Sequence, residues 1–216
     1  MLNVNTPSEK TITQFEENAR FIYITHVTSH ISQEQIQALY TRVVKKPPRK
    51  ISMFGKEYTF PRSMAMFGNS YPFSGQVIEA EDERDDVVDQ CIEIANKLFG
   101  TGFDSALVNV YNNGDQYISQ HSDDELNHTH GSPICTFSFG VIRHMHICGK
   151  IPTNIKIDKN NKRRRTFARW KFPLEHGSCA IMEGTEFQQK YTHGIPKKRG
   201  ENQWRMSITV RNFKKN

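Results

Sequence analysis

A histidine and a carboxylate two residues apart, His121 and Asp123, are the first candidates for chemistry in this sequence. They follow the run 117–119, which has the composition of an extended segment. Side chains i and i+2 of an extended segment point to the same side, so these two groups can bind one ion. His193, which directly precedes a Gly-Ile-Pro turn, is the best candidate for a third ligand.

Spacing alone leaves other histidine pairs open. His144 with His146 and His128 with His130 have the same i, i+2 separation, and most of the nine histidines are expected to be solvated. Two histidines and one carboxylate would leave three positions of an octahedral ion free, which is the ligand set of non-heme Fe(II) oxygenases. A structural zinc site would leave none free.

The segment R-M-S-I-T-V-R at 205–211 alternates polar and apolar residues and predicts a strand with two different faces. One face carries Arg205, Ser207, Thr209 and Arg211. Because arginine binds carboxylates through two parallel hydrogen bonds, this face suits a small dicarboxylic acid. The alternative is an exposed strand face with ordinary surface charges.

Composition limits the remaining possibilities. The 216 residues are 36% hydrophobic, with no apolar run long enough to span a membrane. The N-terminus lacks the pattern of a signal peptide, so we expect an intracellular protein. Four separated cysteines predict buried, reduced thiols instead of a disulfide framework. The length predicts one domain over 1–216.

Positive charge is concentrated near the C-terminus. The net charge is +6, and the stretch from Lys190 onward carries eight basic residues and one acid. Such a surface fits a polyanion such as nucleic acid, or else a solvated loop and tail. The basic run 162–165 is either a nuclear import signal or a solvated loop.

The local patterns predict helices first and strands later. Ser32 and Gln35 form a capping-box pattern for a helix over 32–45, and acidic residues precede a second helix that ends at Gly100. Otherwise we expect loops before residue 101. Strands are predicted at 105–111, 134–139, 144–148, 178–182 and 204–210. This order indicates an α+β fold with a sandwich-like or barrel-like β core.

Over roughly residues 50–213 the sequence resembles the AlkB-type 2-oxoglutarate and Fe(II)-dependent dioxygenases, in particular the AlkB homologue 2 branch. The segments that carry the resemblance are Asn109–Asp115, His121–Glu125, Ser138–Gly140, His176–Ser178, Tyr191–His193 and the final strand. Three earlier segments, Met53–Lys56, Pro61–Arg62 and Tyr71–Gly75, are similar to that branch's finger and nucleotide-recognition lid. The combination is specific, although each segment alone is not.

The resemblance implies a double-stranded β-helix, or jelly-roll, core at about 101–213, with N-terminal helices and a recognition lid at about 1–100. It implies Fe(II), 2-oxoglutarate and O₂ as cofactor and cosubstrates. The implied iron ligands are His121, Asp123 and His193, and the implied 2-oxoglutarate residues are Asn109, Tyr111, Arg205, Thr209 and Arg211. The implied substrate residues are Phe54, Gly55, Lys56, Tyr71, Pro72, Phe73, Asp124 and Glu125.

The implied activity is oxidative demethylation of 1-methyladenine and 3-methylcytosine in double-stranded DNA, with release of formaldehyde and succinate. We expect a monomer without membrane contact, in the nucleus where a host cell has one and otherwise in the cytoplasm. The alternatives are an RNA demethylase, a nucleic-acid-binding module with structural zinc or no metal, and a protein hydroxylase.

Two features depart from the family pattern. Ser207 stands where the final strand usually has asparagine, so we expect one hydrogen bond to the cosubstrate or the iron shell to be shortened or lost. The stretch 150–169 is also longer than a tight hairpin requires.

Overall fold

Two facing antiparallel sheets form the framework of the protein. The computed structural model describes residues 8–53, 55–73, 76–100, 102–123, 131–157 and 162–212. The strands are β1 (Lys10–Glu16), β2 (Ala19–Ile24), β3 (Lys50–Met53), β4 (Lys56–Thr59), β5 (Ser63–Phe67), β6 (Tyr71–Phe73), β7 (Gln76–Ile78), β8 (Ser105–Tyr111), β9 (Ile118–His121), β10 (Ile134–Gly140), β11 (Arg143–Ile157), β12 (Arg163–Leu174), β13 (Ser178–Glu183), β14 (Tyr191–Ile195) and β15 (Arg205–Arg211).

Strands distant in sequence lie next to each other in both sheets. The larger sheet has seven strands in the order β1-β2-β13-β10-β15-β8-β5, and the smaller has four in the order β12-β11-β14-β9. Two further pairs, β3 with β4 and β6 with β7, form separate two-stranded hairpins. The predicted α+β class with a sandwich-like β core is confirmed, and its sheets are antiparallel.

The two long helices begin and end where the sequence predicts. Helix α1 (Gln33–Val44) has both hydrogen bonds of the Ser32–Gln35 capping box. Helix α2 (Asp86–Phe99) has Asp85 as N-cap and ends at Gly100 in the left-handed conformation. A third helix, α3 (Phe187–Lys190), is a single turn before β14. The side chains that cap α1 and α2 satisfy backbone groups that a helix leaves unpaired at its ends.

The larger sheet has a different environment on each face. Met206, Ile208 and Val210 of β15 belong to the core that packs against α1 and α2. The alternate residues face the smaller sheet, where a second core includes Tyr111 of β8 and Ile147 of β11. The alternation predicted for 205–211 is therefore confirmed, and it directs both arginines of β15 into the space between the sheets.

The expectation of loop and helix before residue 101 is wrong, because seven strands, β1 to β7, lie there. Strands β1, β2 and β5 belong to the seven-stranded sheet. All five residues of β5 are buried, so its sequence lacks the alternation that identifies a half-buried strand. Strand β1 is an edge strand of mostly exposed residues, so its apolar signal is weak.

The long stretch after Cys148 extends a two-stranded ribbon. Strand β11 continues to Ile157 and pairs with β12, whose first three residues are arginines. The predicted strand 144–148 is only the first part of β11. All four cysteines are free and three are buried, as predicted. In the described part of the chain, no helix is long and apolar enough to cross a membrane.

Gly140, at the end of β10, allows a close approach between two backbones. Its φ is +86°, and a Cβ there would lie 2.4 Å from the Trp204 carbonyl oxygen. Gly200 has a similar φ of +77° but no atom within 4 Å of its Cβ position. Gly140→Ala should lower the free energy of unfolding by about 3 kcal/mol, and Gly200→Ala by only about 1–2 kcal/mol. Urea unfolding of both variants tests this, and equal losses would contradict the backbone contact.

Candidate active site

His121, Asp123 and His193 come together between the two sheets. His121 is the last residue of β9 and pairs with His193 across the β9–β14 ladder. One ligand atom from each of the three side chains lies within 4.8 Å of the other two. The Nε2 atoms of His121 and His193 lie 3.5 and 3.4 Å from the two oxygens of Asp123. Three candidate ligands thus surround one small volume.

The lone pairs that face the centre of this cluster are suited to binding a cation. Nδ1 of His121 lies 2.8 Å from the Ser119 carbonyl oxygen, so it is the nitrogen that carries the proton. Its Nε2 lone pair then faces the cluster, which is the usual arrangement of a metal-bound histidine. Among the described residues, the buried Oδ2 of Asp123 has no hydrogen-bond partner. A carboxylate oxygen can only accept, so a cation is the natural partner for this atom.

The charge of Asp123 is stabilised although its side chain is only 2% exposed. Burial alone would raise the pKa of this carboxyl, but Arg211 and His193 outweigh burial and hold its pKa well below the usual range. Nη2 of Arg211 donates to Oδ1 of Asp123 at 2.9 Å. Burial lowers the pKa of His193, which favours its neutral, metal-binding form.

The rival pair His144 and His146 gives no comparable cluster among the described residues. His144 and His146 are half-buried in β11, where burial and Lys171 lower the pKa of both. Among the described residues, the only group of three or more side chains able to hold a metal is His121, Asp123 and His193. His128 and His130 lie outside the described residues.

At the other end of β15, Arg205 is buried beside Tyr111. Its Nη2 donates to the Ser138 hydroxyl at 3.0 Å, and its guanidinium carbon lies 5.4 Å from the Tyr111 ring centroid. Nε and Nη1 have no hydrogen-bond partner within the described chain. Burial lowers the pKa of Arg205 to about 10. Both nitrogens can donate to a ligand between the sheets.

Arg62 is a second buried cation in this region, and its role was not predicted. Its Nε donates to Asn109 Oδ1 at 2.7 Å, and the residue is 6% exposed. Burial lowers the pKa of Arg62. Across the described ranges, neither Arg62 nor Arg205 has a carboxylate within ion-pair distance. Only its place in the resembling Pro61–Arg62 segment marked Arg62, because burial of a guanidinium cannot be read from sequence.

The guanidinium groups of Arg62 and Arg205, together called the arginine wall, make the space between the sheets electropositive. Tyr111 pairs with Arg205 and Asn109 with Ser207 in the β8–β15 ladder, so three of the expected 2-oxoglutarate residues are neighbours. Thr209 lies further along β15 and contacts Thr136 through their hydroxyls at 3.4 Å. Charges buried without partners are costly, so this wall is suited to an anionic ligand.

The structure places only some of the expected substrate residues. Gly55 has a φ of +73° in the turn between β3 and β4, and Lys56 begins β4. Tyr71, Pro72 and Phe73 form β6. Phe54, Asp124 and Glu125 lie outside the described residues. Ser207 is buried and lies between Ser138 of β10 and Asn109 of β8. The loss of a hydrogen bond expected from this serine stays a prediction.

The fold and the site together define an Fe(II)- and 2-oxoglutarate-binding oxygenase. A model of the "2OG-Fe(II) oxygenase superfamily" matches residues 23–211, and the chain belongs to this family. Fe(II), 2-oxoglutarate and O₂, as predicted, are the requirements of this superfamily.

Curated relatives include AlkB homologues, which confirms that resemblance. The chain is 33% identical over 112 residues to "Alpha-ketoglutarate-dependent dioxygenase alkB homolog 3" of Bos taurus, covering 52% of this chain and 37% of that one. It is 30% identical over 130 residues to "DNA oxidative demethylase ALKBH2" of Homo sapiens, covering 58% and 45%. The matches thus span less than half the length of these relatives.

A solved structure supports the predicted jelly-roll. The structure entitled "The structure of OsALKBH1" superposes with a TM-score of 0.58 at 16% identity, covering 92% of this chain and 100% of that one. At this identity the likeness concerns the fold alone.

His121→Ala should abolish tight metal binding while the fold is kept, because this side chain is 27% exposed and is not part of either core. Loss of a residue that only orients a ligand already costs about 10–100-fold in metal affinity, so loss of a ligand should cost at least about 100-fold. Titration of the metal-free protein with Co(II) measures this. His144→Ala is the control and should bind normally; a loss there instead would move the site to β11.

Arg205→Met should abolish stabilisation by 2-oxoglutarate without lowering the melting temperature of the ligand-free protein. The ligand-free protein holds Arg205 buried without a carboxylate, so a neutral side chain of similar length relieves a cost. Thermal unfolding with and without 2-oxoglutarate, both with Mn(II), tests the prediction. An unchanged ligand-induced shift would show that Arg205 does not bind the oxoacid.

Proposed function

We propose that this protein is an oxidative demethylase of N-methylated bases in nucleic acid, and that duplex DNA with 1-methyladenine or 3-methylcytosine is its substrate. The observation that carries the proposal is the cluster of His121, Asp123 and His193 in the same space between the sheets as the buried guanidinium groups of Arg62 and Arg205. The AlkB-type relatives support the choice of a nucleic acid substrate, since one of them is named a DNA oxidative demethylase.

Residues near one end of β15 bind the metal, and residues near its other end bind the oxoacid. When bound, Fe(II) with 2-oxoglutarate and O₂ supplies the oxidation of an unreactive C–H bond. His121, Asp123 and His193 hold the metal. At the other end Arg205, Tyr111 and Asn109 bind the distal carboxylate of the oxoacid and fix its orientation. Thr209 lies between the two ends, and Arg211 holds Asp123 ionised.

Hydroxylation of an N-methyl group gives a hemiaminal, which releases formaldehyde and restores the base. The methyl group on a pairing-edge nitrogen is inaccessible inside a duplex, so the nucleotide must leave the stack at a cost of a few kcal/mol. We assign Phe54, Gly55 and Lys56 to the finger that fills the vacated space. Tyr71, Pro72 and Phe73 then contact the extruded base, and Asp124 and Glu125 attract its positive charge.

Two basic surfaces suit the phosphates of such a substrate. Lys197, Lys198 and Arg199 are exposed in the loop before β15. Lys198 is ion-paired with Glu201, whereas the ammonium of Lys197 lies 5.3 Å from the Tyr117 ring centroid. The start of β12 carries three exposed arginines on the long ribbon. Binding to such surfaces should weaken as salt increases.

The proposal is tested by formaldehyde and succinate release from a duplex that contains 1-methyladenine, with Fe(II) and 2-oxoglutarate present. We expect equal amounts of both products from the methylated duplex and neither above background from the unmethylated duplex. His121→Ala should give neither while it still binds the duplex, because the basic surfaces are unchanged.

Single-stranded methylated RNA is run in parallel. Release from RNA alone would make the protein an RNA demethylase. Release from neither polymer, with iron bound, would point to a protein substrate. Tightly bound zinc in protein purified without oxygen would contradict the oxygenase itself.

A further inference from the structure

We infer that Gln188 is a positioning residue of the metal centre, which fixes the backbone of Asp123 relative to the strand that carries His193. Gln188 lies in the single-turn helix α3, five positions before His193. It is absent from the sites predicted from sequence. The inference rests on the metal-binding role proposed for Asp123 and His193, and it concerns how these ligands are held.

The backbone of Asp123 lies beyond the end of β9, so contacts other than strand pairing must fix its position. Strand β9 is the edge strand of the smaller sheet and ends at His121. Its ladder with β14 pairs His121 with His193 and continues toward Ile118, away from Asp123. Among the described strands, the backbone of Asp123 therefore takes part in no ladder that would set its position.

Two hydrogen bonds replace the missing ladder. The Ser122 hydroxyl donates to the Tyr191 carbonyl oxygen at 3.0 Å, and the backbone N–H of Asp123 donates to Gln188 Oε1 at 2.8 Å. Both acceptors belong to the segment 188–191, which leads directly into His193. The second and third metal ligands are thus held by one short piece of chain.

Both the side chain and the backbone of Gln188 are held in turn by their surroundings. The backbone N–H of Asp123 can only donate, so the oxygen of the amide must face it. The side-chain amide nitrogen then lies 3.8 Å from Met182 Sδ, and the Lys150 ammonium donates to the backbone carbonyl oxygen of Gln188 at 2.8 Å. These contacts anchor a helix that has no side-chain cap at its start.

Loss of the acceptor should loosen Asp123 more than it loosens the fold. Without Gln188 Oε1, the backbone N–H of Asp123 loses its acceptor, and among the described residues the Ser122 bond and the Arg211 bond to the carboxylate remain. The backbone under the carboxylate would then move more freely, so its two oxygens would be held less precisely toward His121 and His193. Residues that orient ligands in this way typically contribute about 10–100-fold to metal affinity.

The test is titration of the metal-free, full-length protein with Co(II), followed by visible absorption, which reports both affinity and coordination geometry. Gln188→Met removes the acceptor and keeps the length of the side chain, so its Co(II) affinity should fall about 10-fold and its absorption bands should change. Gln188→Glu keeps an acceptor oxygen and should restore both. Gln189→Met and Gln189→Glu make the same changes at an exposed neighbouring side chain, and the second corrects for the added charge.

Each result distinguishes the inference from the proposed function. Wild-type affinity and spectrum in Gln188→Met, with Co(II) bound normally by the parent, would overturn the inference and leave the metal site intact. Equal weakening in Gln188→Met and Gln188→Glu, with equal losses of melting temperature, would reduce Gln188 to a packing role and also overturn it. Absence of Co(II) binding by the parent protein would overturn the metal site and the inference together.

Discussion

The buried carboxylate of Asp123 is the constraint on which the rest of the site depends. A carboxylate taken out of water costs several kcal/mol unless opposite charge and hydrogen bonds replace the water. Here Arg211 supplies the charge from the larger sheet, and the imidazoles of His121 and His193 approach from the smaller one. The two sheets must therefore be in register across the cavity before this group can be ionised in place. The metal site is thus a consequence of how the sheets pair.

The same space holds two guanidinium groups that no carboxylate of the described residues pairs with. Arg62 and Arg205 are buried, and burial lowers the pKa of both. Arg143 shows the contrast, because its guanidinium is also buried but donates to the carbonyl oxygens of Asn113, Gln116 and Pro196. Arg143 thereby joins loops, whereas Arg205 keeps two nitrogens without an acceptor in the described chain. A fold that tolerates such a charge is destabilised without its ligand and stabilised by an anion.

The sequence predicted those elements whose conformation depends on interactions between neighbouring residues. The alternation of 205–211 and the capping box of α1 depend on neighbouring residues, and both predictions are confirmed. The strand β5 was missed because both its faces are buried, so pairing with β8 and not alternation makes it a strand. The roles of Arg62 and Gln188 were not predicted, for a related reason. Their partners Asn109 and Asp123 are distant in sequence, and no spacing rule connects them.

The metal centre is built on the two large sheets, whereas most of the proposed substrate contacts lie on small hairpins. The ligands and the arginine wall lie on or beside strands of the two large sheets, where cross-strand pairing and packing limit movement. Several residues assigned to the substrate lie in the hairpins β3–β4 and β6–β7. In the described structure, each of these hairpins is a separate two-stranded sheet. Two-stranded hairpins are marginally stable alone, so they can change sequence and shape at little cost to the core. The sheets thus fix the metal-binding residues, whereas under the proposed function the substrate-contacting hairpins can vary without disturbing them.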